Sequence, residues 1–547
     1  MHLRTDTSSN AHFSRVPTIS RSRNAFSIAE KHVTTTQFDY LYPLYHKFIY
    51  PGDTLSITQK SLARLQTQIA TLFDDLYMDV HAWFVPFRLI QTNWARFQFN
   101  AQPSGPSQDN SSLTTPSIDL VALGSGGFAS KSLYDYFGYP TKINATGSGQ
   151  HINNYLARAY NLIWNNNYRD ENLQNAVVVD LDEGPDLASD YVLLKRGKRH
   201  DKFTSALTAQ QKGTAVTIPL GTSAPVIGNG NNSHAPFWVG LTSGATGYMA
   251  GKAAANPTDL QLRGGGGTFN VNETVRLATS GEAGGIPSGM IADLTAATAA
   301  TVNLFRTSVA VQHLLEGDAR GGTRDVESIQ HRWGVTVPDF RLQRPEYIGG
   351  ATWSFDGHIV PQTSETNTTP QATLTQFSQA INAFNINHSF VEHGVFMILF
   401  SARSNITYQQ GLQRELSYRT RFDFYQPEFS NIGEVAIKNK EIFFAGISAD
   451  DATFGFQEYG YELRYSENRV SGEMRSNYTT SLDSKHMADD YSSLPTLSSG
   501  WIQSNTPISR NIAVDAAVAD PIELNVFTQG RIARQLPMYS VPGLMRL

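Results

Sequence analysis

Short segments that are rich in apolar, aromatic or β-branched residues occur near both ends of this 547-residue chain. In residues 76–85 the alternation places Leu76, Met78 and Val80 on one face, and Pro86 ends the segment, as proline commonly does at a strand boundary. Because paired strands share hydrogen bonds, such segments predict a sheet in which strands from the two ends of the sequence come together. The predicted strands are residues 54–59, 76–85, 395–400, 441–445, 459–464 and 523–528.

Three other stretches have the apolar period of an amphipathic helix. Gly317 follows the second as a helix stop, and Thr323 precedes the third as an N-cap. These helices interrupt a strand-rich chain and do not alternate regularly with strands, which argues against a doubly wound fold. The predicted helices are residues 152–163, 302–316 and 323–333.

Residues 211–300 differ in composition from the rest of the chain. They contain 16 of the 43 glycines but only eight charged residues, and 264–267 is a run of four glycines. This composition excludes a helix-rich domain and leaves two interpretations, a disordered linker or a loop-rich β insertion. The strand-like pieces at 215–220 and 268–277 favour the insertion.

The chain contains no cysteine, which excludes disulfides, thiolate metal sites and cysteine nucleophiles. Its net charge of −5 is unlike that of a basic nucleic-acid coat. The longest conspicuous apolar run, residues 395–400, is far shorter than the roughly 18 residues of a membrane span, and no secretory signal is recognisable. The sequence therefore predicts a soluble, non-secreted protein without membrane insertion.

Residues 1–29 predict a basic N-terminal arm. They contain four arginines and one acid, a charge of +3, among Ser, Thr and Asn with no apolar period. One interpretation is a frayed terminus. The other is an arm that faces nucleic acid, in which Arg15, Arg21 and Arg23 contact phosphates.

The sequence contains no recognisable catalytic motif, and no cofactor is predicted. Gly251-Lys252 fails as a phosphate-binding loop because Ala253 replaces the hydroxyl residue and Thr246 replaces the first glycine. The chain also lacks a Gly-x-Ser-x-Gly elbow and a His-Glu-x-x-His zinc motif. The sequence therefore assigns no catalytic residue.

Two neighbouring segments carry dense charge of opposite sign. The acidic loop contains Asp180, Asp182 and Asp186, which are either candidate calcium ligands or part of a solvated turn. The basic segment that follows either contacts phosphates or carboxylates through charge-assisted bonds or neutralises the acidic loop, within the same chain or across a subunit contact. Its candidate DNA-contacting residues are Lys195, Arg196, Lys198 and Arg199.

Aromatic and basic residues are interspersed at 418–425 and 461–465. Such residues stack nucleic-acid bases in some proteins and form subunit interfaces in others. The alternation of Tyr459, Tyr461 and Leu463 along a predicted strand favours packing within the subunit.

Several longer stretches resemble the major capsid proteins of the Microviridae, small icosahedral phages with single-stranded DNA, and in particular the gokushovirus branch. One reads LLEGDARGGTR at 314–324, and another reads DVHAWFVP at 79–86. The matches keep the family order and span nearly the whole chain outside 205–300. The others lie at 194–201, 334–347, 407–412, 439–442 and 539–544.

The resemblance implies a single eight-stranded antiparallel jelly-roll over residues 30–547, with long loop and helix insertions. It implies a non-enzymatic role as the subunit of a T=1 icosahedral shell, in which sixty copies enclose circular single-stranded DNA. The shell is the capsid of a virion and is assembled in the cytoplasm of a bacterial host. Segment 205–300 is then a variable protrusion at the threefold axes that contacts a host receptor.

Charge arithmetic bears on how such a shell holds its genome. Sixty arms supply about 180 positive charges, whereas a genome encoding this chain alone has at least about 1,641 phosphates. The arms can therefore neutralise only a small part of the DNA charge. They are expected to face the interior and make weak, sequence-independent contacts. A small basic DNA-packaging protein, implied by the resemblance, or polyamines or metal ions must supply most of the countercharge.

The strand pattern alone leaves other functions open, because a fold does not determine a function. A carbohydrate-binding or hydrolytic jelly-roll protein is the main alternative. The glycine-rich insertion also fits a tail-like adhesin. A lectin or hydrolase would form a small oligomer, whereas a capsid protein forms a large particle.

Overall fold

A computed structural model gives the fold and divides the chain into two compact units. The main unit combines Met1–Gln210 with Arg320–Leu547, and the second unit is Gln211–Ala319. The structure describes residues 22–99, 113–123, 126–141, 150–214, 302–320, 343–366, 370–515 and 517–539, with short pieces at 216, 226–228, 237–240, 246–251, 260–264, 276–277, 290–292, 327, 329–331 and 334.

The described part of the chain is mainly β. The strands are β1 Asn24–Thr36, β2 Tyr42–Ile49, β3 Thr54–Leu65, β4 Leu76–Pro86, β5 Val226–Gly228, β6 Phe237–Gly240, β7 Thr246–Gly251, β8 Leu260–Gly264, β9 Arg276–Leu277, β10 Met290–Ala292, β11 Glu346–Ser354, β12 Asp356–Pro361, β13 Leu374–Ser389, β14 Gly394–Ser404, β15 Glu434–Lys438, β16 Thr453–Glu458 and β17 Ile522–Arg534. The α-helices are α1 Trp94–Phe99, α2 Leu133–Tyr136, α3 Tyr155–Asn167, α4 Val302–Arg320, α5 Asn439–Ile442 and α6 Ser499–Ile502.

Two antiparallel sheets of the main unit form a sandwich. One has the order β1-β17-β3-β13-β12 and the other β11-β4-β14-β2. Apart from β12, the strands pair as a rolled-up hairpin: β1 with β17, β2 with β14, β3 with β13, and β4 with β11. This is the connectivity of a jelly-roll, so the predicted fold is confirmed. β12 extends the first sheet, so the described residues form nine strands of the sandwich, one more than the predicted eight.

The two ends of the sequence meet in the first sheet. β1 pairs with β17 without a break, from Asn24 opposite Arg534 to Thr36 opposite Ile522. The prediction that strands from the two ends of the sequence come together in one sheet is therefore confirmed. Residues 24–29 of the predicted arm, 1–29, belong to β1, and an arm formed by the residues before them stays a prediction.

The core lies between the sheets, and a second apolar cluster covers the outer face of the four-stranded sheet. Alternate residues of β4, such as Met78 and Val80, face the sandwich interior, whereas Trp83 and Val85 face the second cluster. The second cluster includes one face of α3 and the loops around it. β14 is buried along nearly its whole length because both faces of its sheet are covered.

Two predicted strands are wrong. Residues 441–445 begin inside α5, because the Glu441 carboxylate accepts a hydrogen bond from the Lys438 backbone N–H at 3.0 Å and caps that helix. Residues 459–464 contain a left-handed turn at Gly460, with φ of 77°, followed by a short 3₁₀ helix. Residues 459–464 alternate in sequence and residues 442–445 are all apolar, but neither segment forms a strand.

The predicted helices 152–163 and 302–316 are confirmed as α3 and α4. Gly317 does not end α4, which continues to Arg320, since an isolated glycine inside a helix costs only about 1 kcal/mol. The predicted helix at 323–333 falls largely outside the described residues. No described helix is long and apolar enough to cross a membrane.

The second unit contains short antiparallel strands among its described residues. They form a sheet of order β8-β7-β6-β9 and a separate pair, β10 with β5. Of the predicted strand-like pieces, 215–220 lies outside the described residues apart from residue 216, and β9 is the described part of 268–277. The predicted limits of the insertion, 205–300, overlap this unit, and its role as a surface protrusion stays a prediction.

Candidate functional site

The basic segment 195–199 packs against the four-stranded sheet of the main unit. Arg196 donates hydrogen bonds from Nη1 to Asp79 Oδ2 at 2.6 Å and to Ser401 Oγ at 2.8 Å. Arg403 donates from Nη2 to the same Asp79 oxygen at 2.8 Å. β4 and β14 are neighbours in the sheet, so their register brings Asp79, Ser401 and Arg403 together beneath Arg196.

Asp79 is a buried carboxylate held between two guanidinium groups. Burial by itself raises the pKa of a carboxyl, but Arg196 and Arg403 act in the opposite direction, and the Thr352 hydroxyl donates to Asp79 at 2.6 Å. Together they lower the pKa of Asp79 from 3.8 to about 2. The carboxylate therefore stays ionised and links the basic segment to the sheet.

This shift predicts a pH-dependent stability. A depressed folded-state pKa contributes stability that is complete above about pH 4 and is lost as the pH falls toward 2. The contribution of Asp79 is about 2 kcal/mol. Urea denaturation of the subunit between pH 5 and pH 2.5 should show a shallower loss of stability for Asp79→Asn than for the native chain. Parallel pH profiles would contradict this assignment.

Lys198 is also held inside the subunit, with its side chain 9% exposed. Its ammonium lies 2.7 Å from Asp489 Oδ2 and 4.7 Å from the centre of the Trp501 ring. Lys202, three residues beyond the basic segment, forms ion pairs with Glu441 and Glu467. Arg196, Lys198 and Lys202 are thus paired with carboxylates that are distant in sequence and do not belong to the acidic loop.

The other two predicted basic residues stack on tyrosines. The Lys195 ammonium lies 5.4 Å from the centre of the Tyr40 ring, and the Arg199 guanidinium lies 4.3 Å from that of Tyr77. These contacts fit a structural role for the segment, which was the alternative to phosphate binding. DNA contact by Lys195, Arg196, Lys198 and Arg199 stays a prediction.

The acidic loop is organised by a single buried arginine. Arg158 of α3, fully buried, donates from Nε and Nη2 to the two carboxylate oxygens of Asp186 at 2.7 and 2.5 Å, and from Nη1 to the Asp182 carbonyl at 2.8 Å. Asp180 accepts a hydrogen bond from the Tyr191 hydroxyl at 3.0 Å. The candidate calcium ligands are thus bonded to protein donors. Within the described residues, no group of His, Asp or Glu side chains is arranged to hold a metal.

Of the predicted arm residues, Arg23 is the one that the structure describes. Its Nη2 donates to Thr54 Oγ1 at 2.6 Å, at the end of β3. Arg15 and Arg21 lie outside the described residues. Phosphate contact by all three stays a prediction.

The aromatic and basic segments divide into a buried and an exposed part. Tyr461 is fully buried and donates to both carboxylate oxygens of Glu441 at 2.7 and 2.8 Å, so the packing interpretation holds there. Phe422 and Phe424 are instead 58% and 56% exposed. Their exposure fits a contact with another molecule and not a core.

Known proteins match nearly the whole length of the chain. A family model described as Capsid protein (F protein) matches residues 14–544. The chain belongs to this capsid protein family. Capsid protein VP1 of Bdellovibrio phage phiMH2K is 40% identical over 511 residues, which cover 92% of each chain. The VP1 proteins of Chlamydia phage 1 and Spiroplasma virus 4 are each 34% identical, over 98% and 96% of both chains.

These matches confirm the resemblance to Microviridae major capsid proteins. The family is structural, so the absence of a catalytic motif in the sequence agrees with its membership. The hydrolytic and carbohydrate-binding alternative receives no support from the relatives. As a capsid protein, the chain is a component of a virion.

Proposed function

We propose that sixty copies of this chain form a T=1 icosahedral shell around circular single-stranded DNA. The observation that carries this proposal is an ordered surface of exposed apolar side chains on a capsid-family subunit. Identical subunits close into rings wherever heterologous contacts have a suitable rotation, and an icosahedron combines two-, three- and fivefold rings.

The surface lies on residues 416–432, here named the aromatic loop. Four of its large apolar side chains are more than half exposed: Leu416 at 70%, Phe422 at 58%, Phe424 at 56% and Ile432 at 55%. Protein interfaces are enriched in aromatic residues, so a loop that exposes two phenylalanines and two aliphatic side chains fits a contact between subunits.

The aromatic loop is held in shape before it meets a partner. The Asp423 carboxylate accepts hydrogen bonds from the backbone N–H groups of Arg419 and Thr420, at 2.9 and 2.6 Å. The rings of Tyr418 and Phe424 pack with their centres 4.9 Å apart. Because the loop is already ordered, little conformational entropy is lost when it binds.

The double substitution Phe422→Ser with Phe424→Ser tests this interface. It should lower the yield of closed particles about tenfold or more, because buried aromatic anchors dominate interface energies, while the subunit stays folded by circular dichroism. The matched control, Phe422→Leu with Phe424→Leu, retains apolar contact and should assemble substantially better. Equal particle yields from both double variants and the native chain, counted by electron microscopy, would overturn the role of the loop.

The proposal extends to the contents and the outside of the shell. The chain carries −5 overall, so a small basic packaging protein is proposed to supply most of the charge that neutralises the DNA. Segment 205–300 is proposed as the threefold protrusion that contacts a host surface receptor. Assembly is proposed to take place in the cytoplasm of the bacterial host.

A further inference from the structure

The outer face of the five-stranded sheet is exposed, unlike that of the four-stranded sheet. Alternate side chains of β1, β17, β3 and β13 point away from the sandwich core. Among them, Val33, Leu62, Ile381 and Phe527 are 66%, 40%, 69% and 38% exposed. The rest of this face consists largely of Ser, Thr, Asn, Gln and basic residues.

This face is basic, whereas the chain as a whole is acidic. The structure describes every strand position of this sheet, and the acidic residues among those that point to this side are Asp356 and Glu523. Glu523 pairs with Arg64 at 2.5 Å. Arg23 reaches the same side through its hydrogen bond to Thr54. The basic side chains here are Arg23, Lys31, Lys60, Arg64 and Arg531.

Lys31, Lys60 and Arg531 are exposed, and none forms an ion pair with any residue that the structure describes. Unpaired cations gathered on one side of a sheet attract a polyanion. A second copy of the chain is a poorer partner, because a twofold contact through this face would bring like charges together.

The register places an aromatic ring between two of these cations. Lys31 of β1 lies opposite Phe527 of β17, and Phe527 lies opposite Lys60 of β3. Neighbouring strands are about 4.8 Å apart, so the three side chains form one row across the sheet. A shallow groove of about 450 Å³ lies beside Phe527 and is also lined by Leu62 and Ile381.

We infer that this face binds single-stranded DNA. A base stacks on Phe527, and Lys31, Lys60 and Arg531 contact the flanking phosphates. An exposed aromatic ring with cations beside it is the arrangement that proteins use for sequence-independent binding of single strands. The inference rests on the proposed function, in which the shell encloses DNA, and it names the surface that the DNA meets.

The salt dependence of binding tests the phosphate contacts. Full-length protein is titrated with a fluorescein-labelled 20-nucleotide oligo-dT at several salt concentrations. For single strands, the slope of log K against log salt changes by about 0.7 per phosphate contact. Lys31→Ser with Lys60→Ser and Arg531→Ser should therefore reduce the slope by about 2. The control, Arg64→Gln with Glu523→Gln, leaves the net charge of the same face unchanged and should leave the slope unchanged.

Phe527→Leu tests stacking separately. Leucine keeps an apolar side chain but has no ring, so the affinity for oligo-dT should fall by about 5-fold or more, the lower end of what one stacked base contributes. The salt slope should stay at its native value, because no cation is removed. Phe527→Trp should bind at least as tightly as the native chain.

Native affinity and slope in both the triple variant and Phe527→Leu would overturn the inference. A lower particle yield with unchanged oligo-dT binding would also overturn it, because the face would then be a contact between copies. Neither result would affect the proposed shell, which depends on native particles seen by electron microscopy. Conversely, the absence of particles from the native chain would contradict the proposed function. The oligonucleotide titration would still test this face, because it does not depend on assembly.

Discussion

Arg158→Leu will lower the free energy of unfolding by about 3–5 kcal/mol, the cost of leaving one partner of a buried ion pair without the other. Arg158 and Asp186 are both buried, and Arg158 also donates to the carbonyl oxygen of Ile90 at 2.9 Å. The substitution therefore leaves the Asp186 carboxylate with the Asn154 amide as a neutral donor but without its charged partner, and it removes the Arg158 donor from two carbonyl groups. Urea denaturation of the purified subunit measures the loss.

Two variants make this prediction specific. Arg64→Leu removes an ion pair whose partners are 59% and 42% exposed, so it should cost no more than about 1 kcal/mol. Arg158→Met with Asp186→Leu removes both buried charges and should recover much of the stability lost in Arg158→Leu. A loss below about 1 kcal/mol in Arg158→Leu would show that Arg158 does not hold the acidic loop.

Phe396→Ala is expected to destabilise the subunit by about 3–5 kcal/mol, the usual cost of truncating a buried phenylalanine. Phe396 lies on β14 in the centre of the four-stranded sheet and is fully buried. Its ring centre lies 6.1 Å from those of Tyr45 and Phe390, so the substitution leaves a cavity inside the sandwich.

The matched control is Phe73→Ala. Phe73 is 73% exposed, so its loss should change the free energy of unfolding by about 0.5 kcal/mol or less. Both variants are compared by urea denaturation under the same conditions. Similar costs for Phe396 and Phe73 would contradict the position of the core between the two sheets.

The sequence was most informative where a short apolar segment is a strand of the sandwich. Residues 76–85 and 395–400 are rich in large apolar side chains, and both form central strands. The same kind of reasoning failed for the apolar segment 441–445 and for the alternating segment 459–464. There a capping carboxylate at Glu441 and a left-handed Gly460 determine the backbone, and a period of two residues does not detect either feature.

The partners of charged residues could not be predicted from sequence. Arg196 finds Asp79 more than a hundred positions away, and Lys198 finds Asp489 nearly three hundred away. The density of basic charge in the sequence predicted phosphate contacts, which stay a prediction, but it did not reveal the internal ion pairs of Arg196 and Lys198. Lys31 and Lys60, by contrast, look isolated in the sequence and come together with Phe527 only through strand register.

The mass of the assembled particle tests the central claim most directly. Sixty chains of 60.3 kDa give a protein shell of about 3.6 MDa, which native mass spectrometry of particles without DNA resolves from smaller assemblies. With no cysteine in the chain, this mass should be the same with and without reducing agent. A shell of about 3.6 MDa with icosahedral symmetry in electron micrographs is the predicted result. A protein that stays monomeric or forms only a small oligomer when its native partners are present would contradict the account.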